Sequence, residues 1–276
     1  MRLFNKVAII GTGLIGGSLA LLIKKNGLAR KIVGVARHKA SLDLALKMQA
    51  IDRGSLSLDI IKGADLIVLA TPVDLIISQR NRLLKIVSSD CIVTDVGSTK
   101  GKIVSFLEKD FENYIGSHPL AGSDKRGIKN ARQDIFKKSV CILTPTKRTQ
   151  KLALEKIKRL WLAAGARVIL LSPEAHDSAL SFSSHLAHIV AFSLINSIPS
   201  GLLKLSSGGL RDTTRIASSS PELWQSIFLT NSKNTLKAVA VFEKNLNKIK
   251  TAIRNNDKKS LTDILRQAQK KRTLIE

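Results

Sequence analysis

The sequence is poor in cysteine, in aromatic residues and in acidic residues. Two of its 276 residues are cysteines, aromatic residues make up 4%, and 21 acidic residues stand against 45 lysines and arginines. Two cysteines cannot supply the disulfide framework of a small secreted protein. Cys91 and Cys141 lie in short apolar runs, so we expect inert core thiols in a reducing cytoplasm.

The formal net charge of +24 would by itself suggest a nucleic-acid or membrane partner. However, the basic residues are spread along the chain, without a long basic block or an interleaved series of aromatic residues. We therefore expect no nucleic-acid partner, and interpret the charge as a solvated surface that also attracts anionic substrates.

Charge is absent from residues 7–23, VAIIGTGLIGGSLALLI, which resemble a signal peptide or a membrane anchor. The stretch is slightly short for a membrane span and is interrupted by four glycines. No small-residue cleavage pattern follows it. A strand, a turn and a buried helix explain it better, so we expect a cytoplasmic protein without a membrane partner.

Apolar runs alternate with amphipathic stretches over the first 171 residues. These runs are VAII at 7, KIVGVA at 31, DLIVLATP at 65, CIVTDVG at 91, SVCILTP at 139 and ARVILLSP at 166. The alternation predicts an α/β fold, in which helices cover both faces of a mostly parallel, Rossmann-type doubly wound sheet.

Beyond residue 172 no strand-like run follows, and apolar residues recur at helical spacing. This predicts a dinucleotide-binding domain at 1–171 and an all-helical substrate and dimerisation domain at 172–276. A long helix at about 175–197 is apolar around much of its circumference, so it needs cover on several sides. A second subunit would supply that cover, and we expect a homodimer.

Gly11, Gly13 and Gly16 form the pattern G-x-G-x-x-G between the first apolar run and the helix that follows. The first glycine permits a tight turn, the second lets a phosphate approach the backbone, and the third lets helix and strand pack closely. The helix N-terminus presents N–H groups to a pyrophosphate. In this context the pattern predicts dinucleotide binding.

An acidic residue is missing where an NAD-specific protein usually binds the ribose hydroxyls, about twenty residues after Gly16. Ala36 stands there, followed by Arg37, His38 and Ser41. Because a guanidinium suits a 2′-phosphate, NADP is favoured and NAD stays possible. The predicted cofactor contacts are Gly11, Gly13, Leu14, Ile15, Gly16, Arg37, His38, Ser41, Thr71 and Pro72.

Further motifs follow the glycine turn: DVGSTKGKI at 95–103, GSHPLAGSDKRG at 116–127, HDSALSFSSHLAHIVAFSL at 176–194 and SSGGLRDTTRIA at 206–217. With GTGLIGGS, and in this order over nearly the whole chain, they resemble the prephenate and arogenate dehydrogenases of tyrosine biosynthesis. Ala187 replaces a proline common in that family, and Leu210 replaces an aromatic residue. Both departures are apolar and concern packing more than chemistry.

The resemblance implies an enzyme that oxidises the ring alcohol of prephenate or arogenate by hydride transfer to NAD(P), while the ring carboxyl leaves as CO2. It makes His118 the group that accepts the hydroxyl proton, and Ser98 the residue that orients this histidine and bonds the substrate. Arg215 would bind a substrate carboxylate, with Arg211 the less favoured candidate. A structural role in a turn is the alternative for His118 and Ser98.

The same resemblance places His185, His188, Ser123 and Asp124 around the substrate. His185 and His188 share a helix face, and His176 precedes them. No cysteine or acidic ligand set accompanies these histidines, so we predict no metal. Asp212 is a candidate partner of Arg215, and Trp224 suits core and pocket wall equally.

Two other functions remain open at this point. One is another two-domain dehydrogenase of the β-hydroxyacid type, although that chemistry is usually built around a helix lysine. The other is a non-catalytic NADP-sensing protein that uses the same glycine turn.

Overall fold

A single sheet runs through the first part of the chain. The computed structural model describes residues 2–122, 125 and 127–275. Within this part, the strands are β1 (Phe4–Ile10), β2 (Ala29–Val35), β3 (Arg53–Ser55), β4 (Leu66–Leu69), β5 (Ile92–Asp95), β6 (Tyr114–Pro119), β7 (Val140–Thr144) and β8 (Arg167–Leu170).

The strands lie side by side in the order β3-β2-β1-β4-β5-β6-β7-β8. Every neighbouring pair is parallel except β6 and β7. The chain starts in the middle, at β1, and the order reverses between β1 and β4, which creates the crevice where such sheets bind nucleotides. The predicted α/β, Rossmann-type fold class is confirmed.

The helices between and beyond the strands are α1 (Leu14–Lys25), α2 (Lys39–Lys47), α3 (Val73–Ser78), α4 (Arg80–Leu83), α5 (Gly101–Leu107), α6 (Lys151–Ala163), α7 (Pro173–Leu180), α8 (Leu186–Asn196), α9 (Gly208–Thr214), α10 (Pro221–Thr230), α11 (Ser232–Arg254) and α12 (Lys258–Arg272). After β8, no strand occurs among the described residues. The predicted helical C-terminal part is therefore confirmed.

Two hydrophobic clusters, one on each face, hold the sheet between its helices. In one of them Trp161 of α6 is fully buried, packs edge-on against Phe136 at 5.3 Å, and donates from Nε1 to Ser117 Oγ at 3.2 Å. Cys91 and Cys141 are buried, as predicted, and burial raises the pKa of Cys91 to about 12. Such thiols are poor nucleophiles.

The predicted single helix at 175–197 is interrupted. α7 passes into a π-helical turn, Ser181–His185, before α8 begins. Serine hydroxyls bind backbone carbonyls here, from Ser181 to Ser178 at 2.7 Å and from Ser183 to Ala179 at 3.0 Å. Such side-chain bonds compete with the regular α-helical pattern, and π turns are frequent at functional sites.

By length and composition alone, Pro173–Asn196 is apolar enough to cross a membrane, with 22% of its most apolar window buried. Core helices of soluble proteins can have the same length and apolar composition. In α8, Ala191 is the buried residue, and the others are half-buried or exposed. This helix therefore presents apolar surface.

The chain forms two compact units that divide between Asn231 and Ser232. Helices α7 to α10 thus belong to the unit of the sheet, and α11 and α12 form the other. The functional boundary that we expect between residues 171 and 172 stays a prediction.

Candidate active site

The glycine turn joins β1 to α1. Gly11 has a φ of 101°, and a Cβ on it would lie 2.5 Å from the carbonyl oxygen of Ala70. A Cβ on Gly16 would lie 2.1 Å from the carbonyl oxygen of Gly11. Gly13, in contrast, has no atom within 4 Å of its Cβ position, so its backbone is open to a ligand. Sterics require the outer glycines, and the middle one leaves the space.

The surroundings of the turn fit a dinucleotide. Gly13 precedes α1, and no side chain caps this helix end, whose first residues Leu14 and Ile15 are half-buried. Thr71 and Pro72 follow β4, across the crevice from β1. The buried Thr71 Oγ1 has no hydrogen-bond partner among the described residues, so a polar ligand would satisfy it.

Past the end of β2 lies the segment predicted to read the ribose. Arg37 and His38 are exposed, and Ser41 is half-buried in the first turn of α2. Among the described residues, Arg37 forms no ion pair. Its guanidinium is thus available to a phosphate.

A chain of three side chains begins at His118, near the carboxyl end of β6. His118 Nδ1 lies 2.8 Å from His176 Nε2, and His176 Nδ1 lies 2.9 Å from Asp177 Oδ1. His176 is fully buried. The structure therefore links the predicted base on β6 to a carboxylate on α7.

Asp177 is ionised and held by three donors. Its Oδ1 also accepts from the backbone N–H of Lys100 at 2.7 Å, and its Oδ2 accepts from that of Gly101 at 2.8 Å. Burial alone would raise its pKa, but the bonds from His176, Lys100 and Gly101 lower it overall. An ionised carboxylate only accepts, so His176 carries its proton on Nδ1.

This assignment fixes the remaining protons. Burial lowers the pKa of His176, so the ring is neutral and its Nε2 has a lone pair. His176 Nε2 then accepts from His118 Nδ1–H. Burial, with His176, Lys100 and His185 nearby, lowers the pKa of His118 well below its usual value. The neutral His118 therefore keeps its lone pair on Nε2, which a general base requires.

The other two predicted histidines follow on the π turn and α8. His185 is buried, which lowers its pKa to about 4, and lies 3.3 Å from Asn231 Nδ2. His188 stacks on Trp224 with ring centroids 3.5 Å apart and binds the Ser184 carbonyl through Nδ1 at 3.1 Å. Trp224 thus forms a wall against which His188 is held.

Not every predicted residue joins this cluster. Ser98 is half-buried between β5 and α5, and the described residues show no hydrogen bond from it to His118. Arg215 is exposed, at the start of a short turn that packs against α8, and Asp212 and Arg211 are exposed on α9. Ser123 and Asp124 lie outside the described residues.

Sequence reasoning missed the roles of His176, Asp177, Lys100 and Asp95. His176 and Asp177 open the motif at 176–194 that carries the resemblance, and this was the available signal. Lys100 and Asp95 lie in DVGSTKGKI, and the structure buries both completely as an ion pair. In the described part of the chain, no three histidine, cysteine or acidic residues are grouped to hold a metal.

Two family models match this chain. The model described as "Prephenate dehydrogenase, nucleotide-binding domain" matches residues 19–170, and "Prephenate dehydrogenase, dimerization domain" matches residues 172–267. The prephenate dehydrogenase of Bacillus subtilis is 35% identical, over 93% of this chain and 72% of the relative.

Solved structures agree. The prephenate dehydrogenase from A. aeolicus, in complex with hydroxyphenyl propionate and NAD+, is 36% identical with a TM-score of 0.93, over 99% of this chain and 98% of that one. The Synechocystis arogenate dehydrogenase is 30% identical with a TM-score of 0.85, over 98% and 100% of the two chains. These likenesses extend over both parts of the fold.

The three bonds to Asp177 predict a pH-dependent loss of stability. We expect Asp177→Asn to lower the free energy of unfolding at pH 7 by about 2–4 kcal/mol, because it removes a buried charge that has fixed donors. In the wild type this contribution is complete above the ordinary pKa of 3.8 and is lost as the pH falls through the lower folded value. Denaturant unfolding at pH 7 and at pH 3 would measure the difference, which should shrink at pH 3.

The matched control is Asp134→Asn, which changes an exposed carboxylate 3.5 Å from Arg132. It should have little effect at either pH. Equal stability of Asp177→Asn and wild type at pH 7 would contradict the role assigned to this carboxylate.

Proposed function

Since this chain belongs to the prephenate dehydrogenase family, we propose that it catalyses the oxidative decarboxylation of prephenate or arogenate, with a nicotinamide cofactor, in tyrosine biosynthesis. The observation that carries the proposal is the pair of hydrogen bonds that links Asp177 through His176 to His118. It supplies a neutral base near the carboxyl end of β6, on the side of the sheet where the glycine turn follows β1. Both alternatives, a β-hydroxyacid-type dehydrogenase and a non-catalytic NADP sensor, are not favoured, because both family models match the prephenate dehydrogenases.

In the reaction, His118 Nε2 accepts the proton of the ring hydroxyl. The nicotinamide, when bound, supplies the acceptor for the hydride that leaves the same ring carbon. The ring carboxylate leaves as CO2, and the electrons of its bond complete the aromatic ring. His176 and Asp177 keep His118 in the tautomer that this step needs. Aromatisation makes the reaction irreversible.

We assign the substrate carboxylate to Arg215 and the pocket walls to His185 and His188. Arg215 is exposed, and it begins the short turn after α9 that packs against the helix carrying His188. A planar guanidinium binds a carboxylate through two parallel hydrogen bonds. Ser98 would bond the substrate hydroxyl when substrate is bound.

Two variants should separate catalysis from binding. His118→Asn should lower kcat by about 10²–10⁴-fold with a smaller effect on KM, because it removes the base.

Arg215→Ala should raise KM by about 10–100-fold, because it removes a charged hydrogen-bond partner. Steady-state kinetics with prephenate and with arogenate, following CO2 and the phenolic product, would measure both.

If the wild-type protein turns over neither prephenate nor arogenate, the proposed function is wrong. A His118→Asn enzyme that retains most of its kcat would instead refute only the assignment of the base. If the KM of Arg215→Ala is unchanged, another cation binds the substrate carboxylate. Arg211 is the nearest such cation in sequence.

We propose that NADP is preferred to NAD. The support is the absence of an acid at Ala36 and the exposed Arg37 beside it. Arg37→Ala should lower kcat/KM for NADP by about 10–100-fold and leave kcat/KM for NAD nearly unchanged, because only NADP has the 2′-phosphate. Lys39→Ala is the matched control, since Lys39 is exposed and already paired with Asp43 at 2.9 Å. A wild-type preference for NAD would contradict the proposal.

We further propose that the protein is a cytoplasmic homodimer assembled through its helical part. The apolar surface of α8 continues into exposed leucines in the next segment, with Leu202 52% and Leu205 73% exposed. Burying such a surface between subunits accounts for an apolar helix outside a membrane. Sedimentation at micromolar concentration should show a dimer, and a stable monomer would refute this.

A further inference from the structure

A buried ion pair lies behind the histidine chain. Asp95 at the end of β5 and Lys100 before α5 are both 0% exposed, and Lys100 Nζ donates to Asp95 Oδ1. Burying two charges costs more free energy than their attraction usually returns. A pair kept in this position therefore calls for an explanation in terms of the site.

The surrounding strands are built to hold this pair. Asp95 Oδ2 accepts from the hydroxyl of Tyr114 at 2.6 Å, and Asp95 Oδ1 accepts from the backbone N–H of Gly97 at 2.7 Å. The stem of Lys100 lies against Gly116 of β6, where a Cβ would be 3.3 Å from Lys100 Cδ. Each group of the pair is thus fixed by a neighbouring element.

The pair is also connected to the base. The backbone N–H of Lys100 binds Asp177, so the residue that carries the buried cation also holds the carboxylate behind His176. The groups around His118 are His176, His185, Lys100 and, less directly, Asp95 and Asp177. Cys141 of β7 and Tyr114 of β6 are neutral because burial raises the pKa of each.

Burial is the main reason why the histidines stay neutral, and the charge of Lys100 acts in the same direction. The cluster holds two carboxylates, of which Asp95 is paired with the Lys100 ammonium and Asp177 binds the Lys100 backbone N–H. Loss of that cation favours the state in which Asp177 draws a proton onto His176, whose Nε2–H then donates to His118 Nδ1. His118 would carry its own proton on Nε2 and have no lone pair there. In agreement, the Lys100 charge contributes to the lowered pKa of both histidines.

We propose that the buried Asp95–Lys100 pair is a positioning element that keeps the His118–His176 pair uncharged, so that His118 Nε2 can accept the hydroxyl proton. The proposal rests on the function proposed above. Lys100 touches neither substrate nor cofactor in this role, and acts only through the two histidines.

The test is the pH profile of kcat/KM for the double variant Asp95→Asn/Lys100→Met, which removes both charges and leaves no unpaired ion. Lys100 lowers the pKa of both histidines, whereas Asp95 has a smaller, opposite effect on His176, so losing both charges should raise the pKa of the histidines and reduce their neutral fraction at a given pH. The acidic limb should therefore move to higher pH, by up to about one unit because the two lost charges partly compensate. Above the limb, KM should change less than kcat.

Tyr114→Phe is the control for a purely structural role. It removes a hydrogen bond from the same network but no charge, so it should lower thermal stability and leave the acidic limb in place. If the double variant loses stability without moving its limb, the proposal is wrong. A wild type without turnover would instead refute the proposed function.

A second measurement does not depend on the folding of the double variant. In wild-type protein labelled with ¹⁵N-histidine, NMR should show His118 and His176 neutral at pH 7, each protonated on Nδ1 and unprotonated on Nε2. The Nε2 assignment of His118 is made by comparison with His118→Asn. A charged His176 at pH 7, or a proton on His118 Nε2, would overturn the proposal.

Discussion

The carboxylate of Asp177 is the point on which the site depends. It binds the backbone N–H groups of Lys100 and Gly101, which open α5, and it binds His176, which reaches His118 on β6. One ionised side chain on α7 therefore fixes the start of another helix and the tautomer of the base. Since a buried carboxylate is stable only when its acceptors are filled, stability and proton placement have the same cause here. A change that weakens one weakens the other.

The parts of this molecule that sequence predicted are those set by local sterics and by long apolar runs. Gly16 is needed because a Cβ on it would meet the carbonyl oxygen of Gly11 at 2.1 Å, and Gly11 is needed because its φ is 101°, so both constraints lie within one turn. Strand β4 is a continuous apolar run, and β1 ends in the apolar run VAII. β6, with the sequence YIGSHP, has no such run, and β3 has three residues, so periodicity could not identify them.

The histidine chain could not be predicted in the same way, because its members are 58 residues apart and meet only when α7 packs against the sheet. Spacing grouped His176 with His185 and His188 as residues of one helix, which the π turn at Ser181–His185 interrupts. The structure directs the two nitrogens of His176 to His118 and Asp177, so its partners come from β6 and from its own neighbour. Only the resemblance marked this segment as functional.

Burial divides the tasks of the site between two kinds of residue. The histidines that handle protons are withdrawn from water, which keeps them neutral, and apart from Nε2 of His118 their ring nitrogens form hydrogen bonds within the protein. The cations assigned to ligands, Arg37 and Arg215, are exposed. Lys100 belongs to neither kind, because it is a cation that the fold buries completely. Because its ammonium is buried, Lys100 does not contact a ligand directly. Its charge therefore acts on the reaction through the protonation of His118 and His176.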